Sequence, residues 1–438
     1  MTDLPRDAVL WREQVDLAPL VERADRGRTE RVPDRADVVV VGAGYAGLAA
    51  ATALAVAGRE VVVLEAGDLG TGAHARNGGM VIPELKAGPA ALARRYGPLG
   101  ERMYREVNDA FDLVERLAGA PGTAAPDDGL GTIDCGYART GQLYLAHAAR
   151  VTAHLRATAD DHAAHSEDVA YVDRPQLAEE IGSTAFHGAV RYARTGGLQP
   201  AAFHAGLLRR ALDAGVTVRH RTRARRIEDL GRRRWVHTDD GAIEAAEVVV
   251  ATNATADALL PGLRRRVLPI GSFIVATDPL PPALQDELCP RRRMFVDTRN
   301  LLAYWRLSPD GRLVFGGRRS LAPTSVADAA AYLRTEIDRI HPQLAATPLT
   351  HRWGGEVAMT VDRLPHVGRL GGAWYVTGCN GSGVAGNTGL GHHLGQALAD
   401  RAPLPAVADL PHRPIPLHRY RRAWLPAVGA WFKTQDHP

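Results

Sequence analysis

Residues 37–65 constrain the fold of this chain more than any other segment. They read DVVVVGAGYAGLAAATALAVAGREVVVLE, in which an apolar run, a glycine-rich turn, an alanine-rich stretch and a second apolar run end at Glu65. Val38 to Val41 are typical of a strand buried on both faces. This spacing predicts a strand–helix–strand unit that binds an adenine dinucleotide. The alternative is a glycine turn with a purely structural use.

Three glycines explain how such a turn could accept a pyrophosphate. Gly42 allows the tight turn, Gly44 leaves room for the phosphates, and Gly47 lets the helix pack closely on the sheet. The helix N-terminus directs unpaired N–H groups and a positive dipole end at the phosphates. Glu65 can accept hydrogen bonds from a ribose diol. The predicted nucleotide site therefore comprises Gly42, Ala43, Gly44, Tyr45, Ala46, Gly47, Glu65 and Ala66.

Composition excludes several other classes of protein. The 438 residues suffice for one large or two interlocked domains, and 45% hydrophobic with 23% charged residues is ordinary for a soluble protein. The net charge of +4 comes without a long cationic run, because Arg219–Arg226 alternates as a solvated strand face would. We therefore expect no nucleic-acid partner.

Cysteine usage and apolar segments exclude further classes. Cys135, Cys289 and Cys379 lie far apart, which predicts no disulfide framework and no zinc site, and no other metal-ligand spacing occurs. The first residues lack an apolar signal core, and the longest apolar stretch, 47–58, is too short to span a bilayer. We therefore expect a cytoplasmic protein with no membrane partner and no metal.

Hydrophobic periodicity and turn residues predict the other elements coarsely. Residues 1–32 are polar and irregular, apart from a Trp11 that could dock on the body. The predicted elements are a helix over 99–118, strands over 141–146 and 216–224, a strand pair over 233–252 that turns at Asp240-Gly241, a hairpin over 294–315, a helix over 329–340, and a strand over 374–377 followed by a helix over 384–400.

A second glycine cluster, GCNGSG, spans residues 378–383 between the last of those strands and its helix. No acidic residue follows it at ribose distance, so the chain has one complete dinucleotide fingerprint. A helix N-terminus at this place would stabilise negative charge on the pyrimidine end of a reduced flavin.

Several motifs in order resemble the D-amino acid oxidase-type FAD oxidoreductases, and most nearly their γ-glutamylputrescine oxidase branch. The motifs are GAGYAGL at 42–48, VVVLEAG at 61–67, GTGAHARNGG at 70–79, WGGEVAMTVDRLPHVGR at 353–369 and GCNGSGV at 378–384. The resemblance runs from about residue 33 to the C-terminus.

The resemblance implies an α/β fold in which an FAD-binding Rossmann-like (GR2-type) domain joins a second α+β substrate domain with a mostly antiparallel sheet. The discontinuous FAD domain would comprise 1–85, 168–262 and 356–438, and the substrate domain 86–167 and 263–355. Further cofactor contacts would come from His74, Ala75, Arg76, Asn77, Gly78, Gly79, Met80, Ala224, Ala251, Thr252, Asn253, Gly378, Asn380, Gly381, Ser382, Gly383 and Val384.

Members of this family remove hydride from the carbon next to an amine, and the resulting imine hydrolyses to a carbonyl. Oxygen or another acceptor then reoxidises the flavin. Amino acid oxidases of the family hold the substrate carboxylate with an arginine, but Val357 stands at the matching place. A buried carboxylate without a bidentate cation is costly. We therefore expect an amine whose reacting carbon bears no carboxylate, although a remote carboxylate is compatible with this site.

Two positions concern attachment of the flavin and its reaction with oxygen. The cysteine to which some relatives link FAD is absent near Gly355, whereas His74 lies where other relatives carry a flavin-linked histidine. Both a covalent and an unlinked His74 are open at this stage. Lys86 follows the glycine-rich loop at 70–79. A cation near the flavin at this place could stabilise superoxide, and the alternative is a surface lysine.

The segment 304–306 is the candidate wall of the substrate pocket. Tyr304 and Arg306 share one strand face, and Trp305 takes the other, where core packing explains it equally well. An aromatic, desolvating pocket would favour the neutral amine. The predicted activity is oxidation of the C–N bond of an aliphatic primary or secondary amine, with γ-glutamylputrescine as the leading substrate. The alternatives are an N-methyl or other amino acid oxidase, an oxidase of a specialised-metabolite amine, an NAD-linked dehydrogenase, and a non-catalytic nucleotide-binding protein.

Overall fold

The computed structural model describes residues 6–26, 29–165, 168–255 and 259–436. Its β-strands are Arg6–Asp7, Arg35–Val41, Val61–Leu64, Met80–Val81, Gln142–Leu145, Val169–Asp173, Gly188–Tyr192, Gly196–Gly197, Thr217–Arg219, Arg226–Asp229, Arg234–Thr238, Gly241–Val250, Leu268–Pro279, Met294–Asp297, Ala303–Leu307, Arg312–Gly317, Leu349–Met359, His366–Leu370 and Ala373–Thr377. Its α-helices are Leu10–Glu13, Ala18–Asp25, Tyr45–Val56, Pro89–Tyr96, Pro98–Leu117, Thr152–Ala163, Pro200–Asp213, Pro261–Arg264, Pro282–Leu288, Val326–Ile340, Gly383–Leu398 and Arg421–Gln435.

An eight-stranded sheet, here called the dinucleotide sheet, contains the strands on either side of the first glycine turn. Arg35–Val41 pairs in parallel with Val61–Leu64 on one side and with Gly241–Val250 on the other. Apolar clusters cover both faces of these strands, which is why the strands read as continuous apolar runs.

The helix Tyr45–Val56 packs against the helix Gly383–Leu398 with unusually close backbones. A Cβ placed on Gly391 would lie 2.1 Å from the carbonyl oxygen of Ala46. Small residues line both helices at this contact and allow the close approach. The N-termini of the two helices border the same cavity.

A second, nine-stranded sheet is mostly antiparallel. Its order is Arg6–Asp7, Leu349–Met359, Leu268–Pro279, Arg312–Gly317, Ala303–Leu307, Met294–Asp297, Gln142–Leu145, Gly188–Tyr192 and Val169–Asp173. One face packs a core around Phe295, Trp305 and Phe315. On the opposite face, Ile274, Val314 and Trp353 pack in one cluster with Ala75 of the 70–79 loop.

The structure moves three of the predicted domain boundaries. Residues 169–192, assigned to the FAD domain from the sequence, carry two strands that pair into the nine-stranded sheet. Leu349–Met359 stays in that sheet past residue 356. The C-terminal helix Arg421–Gln435, assigned to the FAD domain, packs against the predicted substrate domain. A Cβ on Gly429 would lie 3.1 Å from the backbone nitrogen of Leu321. Local patterns could not show these boundaries, because strand partners come from distant segments.

Three element predictions also need correction. Within 1–32, the described residues form a strand and two helices rather than an irregular segment, and Trp11 is fully buried. The region 294–315 contains three strands, since residues 298–302 separate Met294–Asp297 from the hairpin that turns at 309–311. The strand predicted over 216–224 is confined to Thr217–Arg219.

Candidate functional site

A cavity of about 1990 Å³ runs from the first glycine turn, past the 71–80 loop, to the N-terminus of Gly383–Leu398 and the nine-stranded sheet. It brings together most of the residues proposed from the sequence. Those that line it are Gly42, Gly44, Tyr45, Ala46, Glu65, Ala66, His74, Arg76, Asn77, Gly78, Met80, Lys86, Ala224, Ala251, Thr252, Asn253, Tyr304, Asn380, Gly381, Ser382, Gly383 and Val384. The proposed residues outside the lining are Ala43, Gly47, Ala75, Gly79, Gly378 and Arg306.

The first glycine turn has the close backbone approaches expected of it. Gly42 has a φ of +106°, and a Cβ there would lie 2.9 Å from the carbonyl oxygen of Ala251. A Cβ on Gly47 would lie 1.9 Å from the carbonyl oxygen of Gly42. Side chains are therefore excluded at both places, and the helix N-terminus stays open towards the cavity.

Glu65, directly after the strand Val61–Leu64, is hydrogen-bonded to the first glycine turn. One carboxylate oxygen accepts from the Ala43 N–H at 3.0 Å and the other accepts from the Gly67 N–H at 3.1 Å. Each oxygen keeps a lone pair for a further donor, which suits the proposed contact with a ribose diol.

The loop 73–79 is tied to its surroundings by side chains. Asn77 donates to the His74 carbonyl at 2.9 Å and accepts from the Gly79 N–H at 2.8 Å. The Trp11 indole donates to the Asn77 carbonyl at 2.9 Å, and the Trp353 indole donates to the Arg76 carbonyl at 2.8 Å. The loop is therefore preorganised rather than a mobile glycine turn.

Lys86 belongs to a polar link that the sequence analysis missed. Its ammonium donates to the Glu84 carboxylate at 2.6 Å, and the same oxygen accepts from the Ser382 hydroxyl at 2.9 Å. Burial raises the pKa of Glu84, but Lys86 and Ser382 outweigh burial and bring that pKa below its usual value. Glu84 thus connects Lys86 to the second glycine cluster. The sequence signal that could have indicated this link is the pair of charged residues, Glu84 and Lys86, shortly after the 70–79 loop.

Tyr304 and Trp305 take the opposite faces that the strand pattern predicts. The Tyr304 ring lies against the loop, since a Cβ on Gly78 would come within 3.0 Å of it, and its hydroxyl lies 3.2 Å from the Ser272 hydroxyl. Trp305 is fully buried between Phe295 and Phe315, with ring centroids 5.3 Å away on each side. Trp305 is therefore a core residue.

Arg306 shares the face of Tyr304 but does not line the cavity, which corrects its proposed place on the pocket wall. Its guanidinium donates to the carbonyls of Gly78 and Leu198. Burial lowers the pKa of Arg306 to about 10. One acceptor, Gly78, belongs to the 70–79 loop, and the other, Leu198, donates its own N–H to the Gly79 carbonyl. Arg306 therefore supports this loop from outside the cavity.

The C-terminal helix Arg421–Gln435 contributes a cavity wall that sequence reasoning missed. Trp424, Leu425, Val428 and Phe432 line the cavity from this helix. Its end is anchored by the Asp436 carboxylate, which accepts from the backbone N–H groups at 300 and 301 at 2.7 and 2.9 Å. The spacing of the apolar residues at 424, 425, 428 and 432 was the available signal.

Comparison with known proteins decides the family. Residues 37–397 match the DAO family, described as FAD dependent oxidoreductase. The chain belongs to this family. It is 31% identical over 411 residues to the probable oxidoreductase OrdL of Rhizobium meliloti (strain 1021), covering 92% of each chain. It is 30% identical over 419 residues to the γ-glutamylputrescine oxidoreductase of Escherichia coli (strain K12), covering 91% of this chain and 92% of that protein.

Solved structures of lower identity share the fold of this DAO-family protein. Glycine oxidase from Geobacillus kaustophilus superimposes with a TM-score of 0.68 at 21% identity, over 84% of this chain and 96% of that one. L-Proline dehydrogenase from P. horikoshii gives 0.69 at 18% identity, over 86% and 96%. Both confirm the FAD-binding fold expected from the sequence.

FAD is the cofactor of the family, and the residues of this cavity fit it. The glycine turn offers phosphate donors at one end, and the N-terminus of Gly383–Leu398 lies at the other. The buried Thr252 hydroxyl and His74 Nε2 have no hydrogen-bond partner within the described chain and line this cavity. No helix among the described residues is long and apolar enough to cross a membrane.

Proposed function

We propose that this protein oxidises the C–N bond of an aliphatic primary or secondary amine related to γ-glutamylputrescine, yielding an imine that hydrolyses to an aldehyde. One observation carries the proposal. Val357 lines the cavity and pairs in register with Ile270, so the wall is apolar where an amino acid oxidase would need a cation. The identity to the Escherichia coli oxidoreductase supports the same substrate class.

FAD, when bound, supplies the hydride acceptor for this reaction. The residues of the chain position the substrate and keep water out. Tyr304, Ser272 and Ile270 line the cavity from the nine-stranded sheet, and Trp424 and Phe432 line it from the C-terminal helix. Such a wall disfavours the ammonium form of the substrate, so the amine binds with its lone pair free. Lys86, held by Glu84, is the proposed cation for the oxygen reaction.

The test is the visible spectrum of the purified protein under anaerobic conditions, before and after addition of γ-glutamylputrescine, simple D-amino acids and N-methylglycine. We expect bleaching of the flavin band by the amine and much slower bleaching by the amino acids. Faster bleaching by a D-amino acid would contradict the proposal. Denaturation of the same sample then tests His74: flavin in the supernatant excludes a covalent bond, whereas flavin in the precipitate supports one.

A further inference from the structure

Arg318 lies on the cavity wall and belongs neither to the glycine-rich cofactor motifs nor to the hydrophobic core. It follows the strand Arg312–Gly317 directly and lines the cavity. Gly316 pairs with Tyr304 across one strand interface and with Ile274 across the other. Side chains two residues apart share a face, so Arg318 continues the face of Tyr304, which is the cavity side of the sheet.

The Nε of Arg318 is buried without an acceptor, whereas the residue as a whole is partly exposed towards the cavity. Its Nε is inaccessible to solvent and has no hydrogen-bond partner, and its side chain makes no hydrogen bond or ion pair with the described residues. Burial lowers the pKa of Arg318. By contrast, Arg76 and Arg306 donate to backbone carbonyls, and Arg299 is paired with Asp297. A cation that is partly desolvated and has no partner is costly, which points to an anion supplied by a ligand.

The charge of the cavity points the same way. Among the described residues, its lining includes ten Lys or Arg side chains and four Asp or Glu side chains. Glu84 is engaged with Lys86 and Glu65 with backbone N–H groups. Arg194, Arg225 and Arg299 are also paired with carboxylates, and the diphosphate of FAD would offset two further positive charges. Such a lining still disfavours a bare polyamine dication relative to a ligand that carries an anionic group.

The sheet register places Arg318 away from Val357. Arg318 extends one strand, and the strand with Ser272 separates it from the strand that carries Gly355 and Val357. Two strand spacings correspond to about 10 Å. The backbone of Arg318 therefore lies about this distance from the strand that carries Val357, so the cation and the apolar wall start from different strands of the sheet.

We propose that Arg318 binds a carboxylate of the substrate at the end remote from the C–N bond that is oxidised. The substrate class is then an N-acylated aliphatic amine whose acyl group ends in a carboxylate. A guanidinium suits this role because it donates two parallel hydrogen bonds to one carboxylate. This inference rests on the proposed function, since it names the second recognition group of the same substrate.

Equilibrium binding of an analogue that cannot be oxidised separates this inference from the proposed activity. The probes are N-propylglutaramic acid, which has the carboxylate but no amine, and its methyl ester. Both are titrated calorimetrically into the FAD-loaded wild type, Arg318→Gln and Arg319→Gln. Arg319 is the matched control, because it is the exposed neighbour and does not line the cavity.

We expect the wild type and Arg319→Gln to bind the acid at least tenfold more tightly than the ester. In Arg318→Gln that preference should fall to threefold or less, with ester affinity unchanged. Absent or equal binding of acid and ester by the wild type would overturn the inference, and so would a preference retained in Arg318→Gln. If the preference follows Arg318 but no amine bleaches the flavin, the proposed function fails and the anion site stands.

Discussion

The imidazole ring of His204 stacks on that of His74, with the ring centroids 3.9 Å apart. His204 is fully buried, and its Nε2 lies 2.8 Å from the carbonyl oxygen of Ala43 in the glycine turn. Burial lowers the pKa of His204 to about 4, and burial followed by repulsion from His204 lowers that of His74 well below its usual value. The pair is therefore neutral at neutral pH.

This pair predicts acid destabilisation. The unfolded chain protonates His204 near pH 6.5, whereas the folded chain does so near pH 4, so stability falls as pH drops between these values. One such group contributes a slope of at most about 1.4 kcal/mol per pH unit. His204→Gln should reduce the slope of the unfolding free energy, measured in urea between pH 7 and 5. The exposed His154→Gln is the control, and an equal reduction in both variants would argue against the pair.

Gly47→Ala should abolish FAD binding. The new Cβ would lie 1.9 Å from the Gly42 carbonyl oxygen, so the turn must open. Overpacking of this kind costs about 1–3 kcal/mol or more. Flavin absorbance per protein after purification and thermal unfolding check the result. Gly386→Ala, also within a helix but with open space around it, should keep FAD and stability; loss of FAD in both variants would contradict the geometric argument.

Lys86→Met should slow reoxidation of the reduced flavin by oxygen about tenfold and leave flavin reduction by substrate unchanged. The measurement is stopped-flow absorbance in separate reductive and oxidative experiments. Lys433→Met is the natural control, because Lys86 and Lys433 are the two lysines of the sequence. An oxygen rate that is the same in Lys86→Met and the wild type would dispose of this role.

Arg306→Met should weaken FAD binding at least tenfold, because the carbonyls of Gly78 and Leu198 lose their donor. Unsatisfied buried carbonyls cost about 1–3 kcal/mol, so thermal unfolding should occur at a lower temperature. Equilibrium titration of the apoprotein with FAD gives the affinity. Arg319→Met controls for loss of a cation; unchanged affinity in Arg306→Met would mean that the loop holds its shape without this support.

Much of the cofactor half could be predicted from local patterns. The glycine turn, Glu65 and the two glycine-led helices have physical requirements that a short segment carries within itself, and each lines or shapes the cavity. The nine-stranded sheet was predicted only as mostly antiparallel. Its order joins Val169–Asp173 and Arg6–Asp7 to opposite edges of one sheet, and no local pattern specifies partners at such sequence distances.

The sequence by itself determined the dinucleotide unit, the FAD-binding family and the opposite faces of Tyr304 and Trp305, because periodicity and turn chemistry act over a few residues. Only the tertiary structure decided which charges have partners. Arg306 turned out to support the glycine loop, Lys86 to be held by Glu84, and Arg318 to lie unpaired in the cavity. The physical reason is that a side chain's partners are set by packing between distant segments, which the order of residues along the chain does not display.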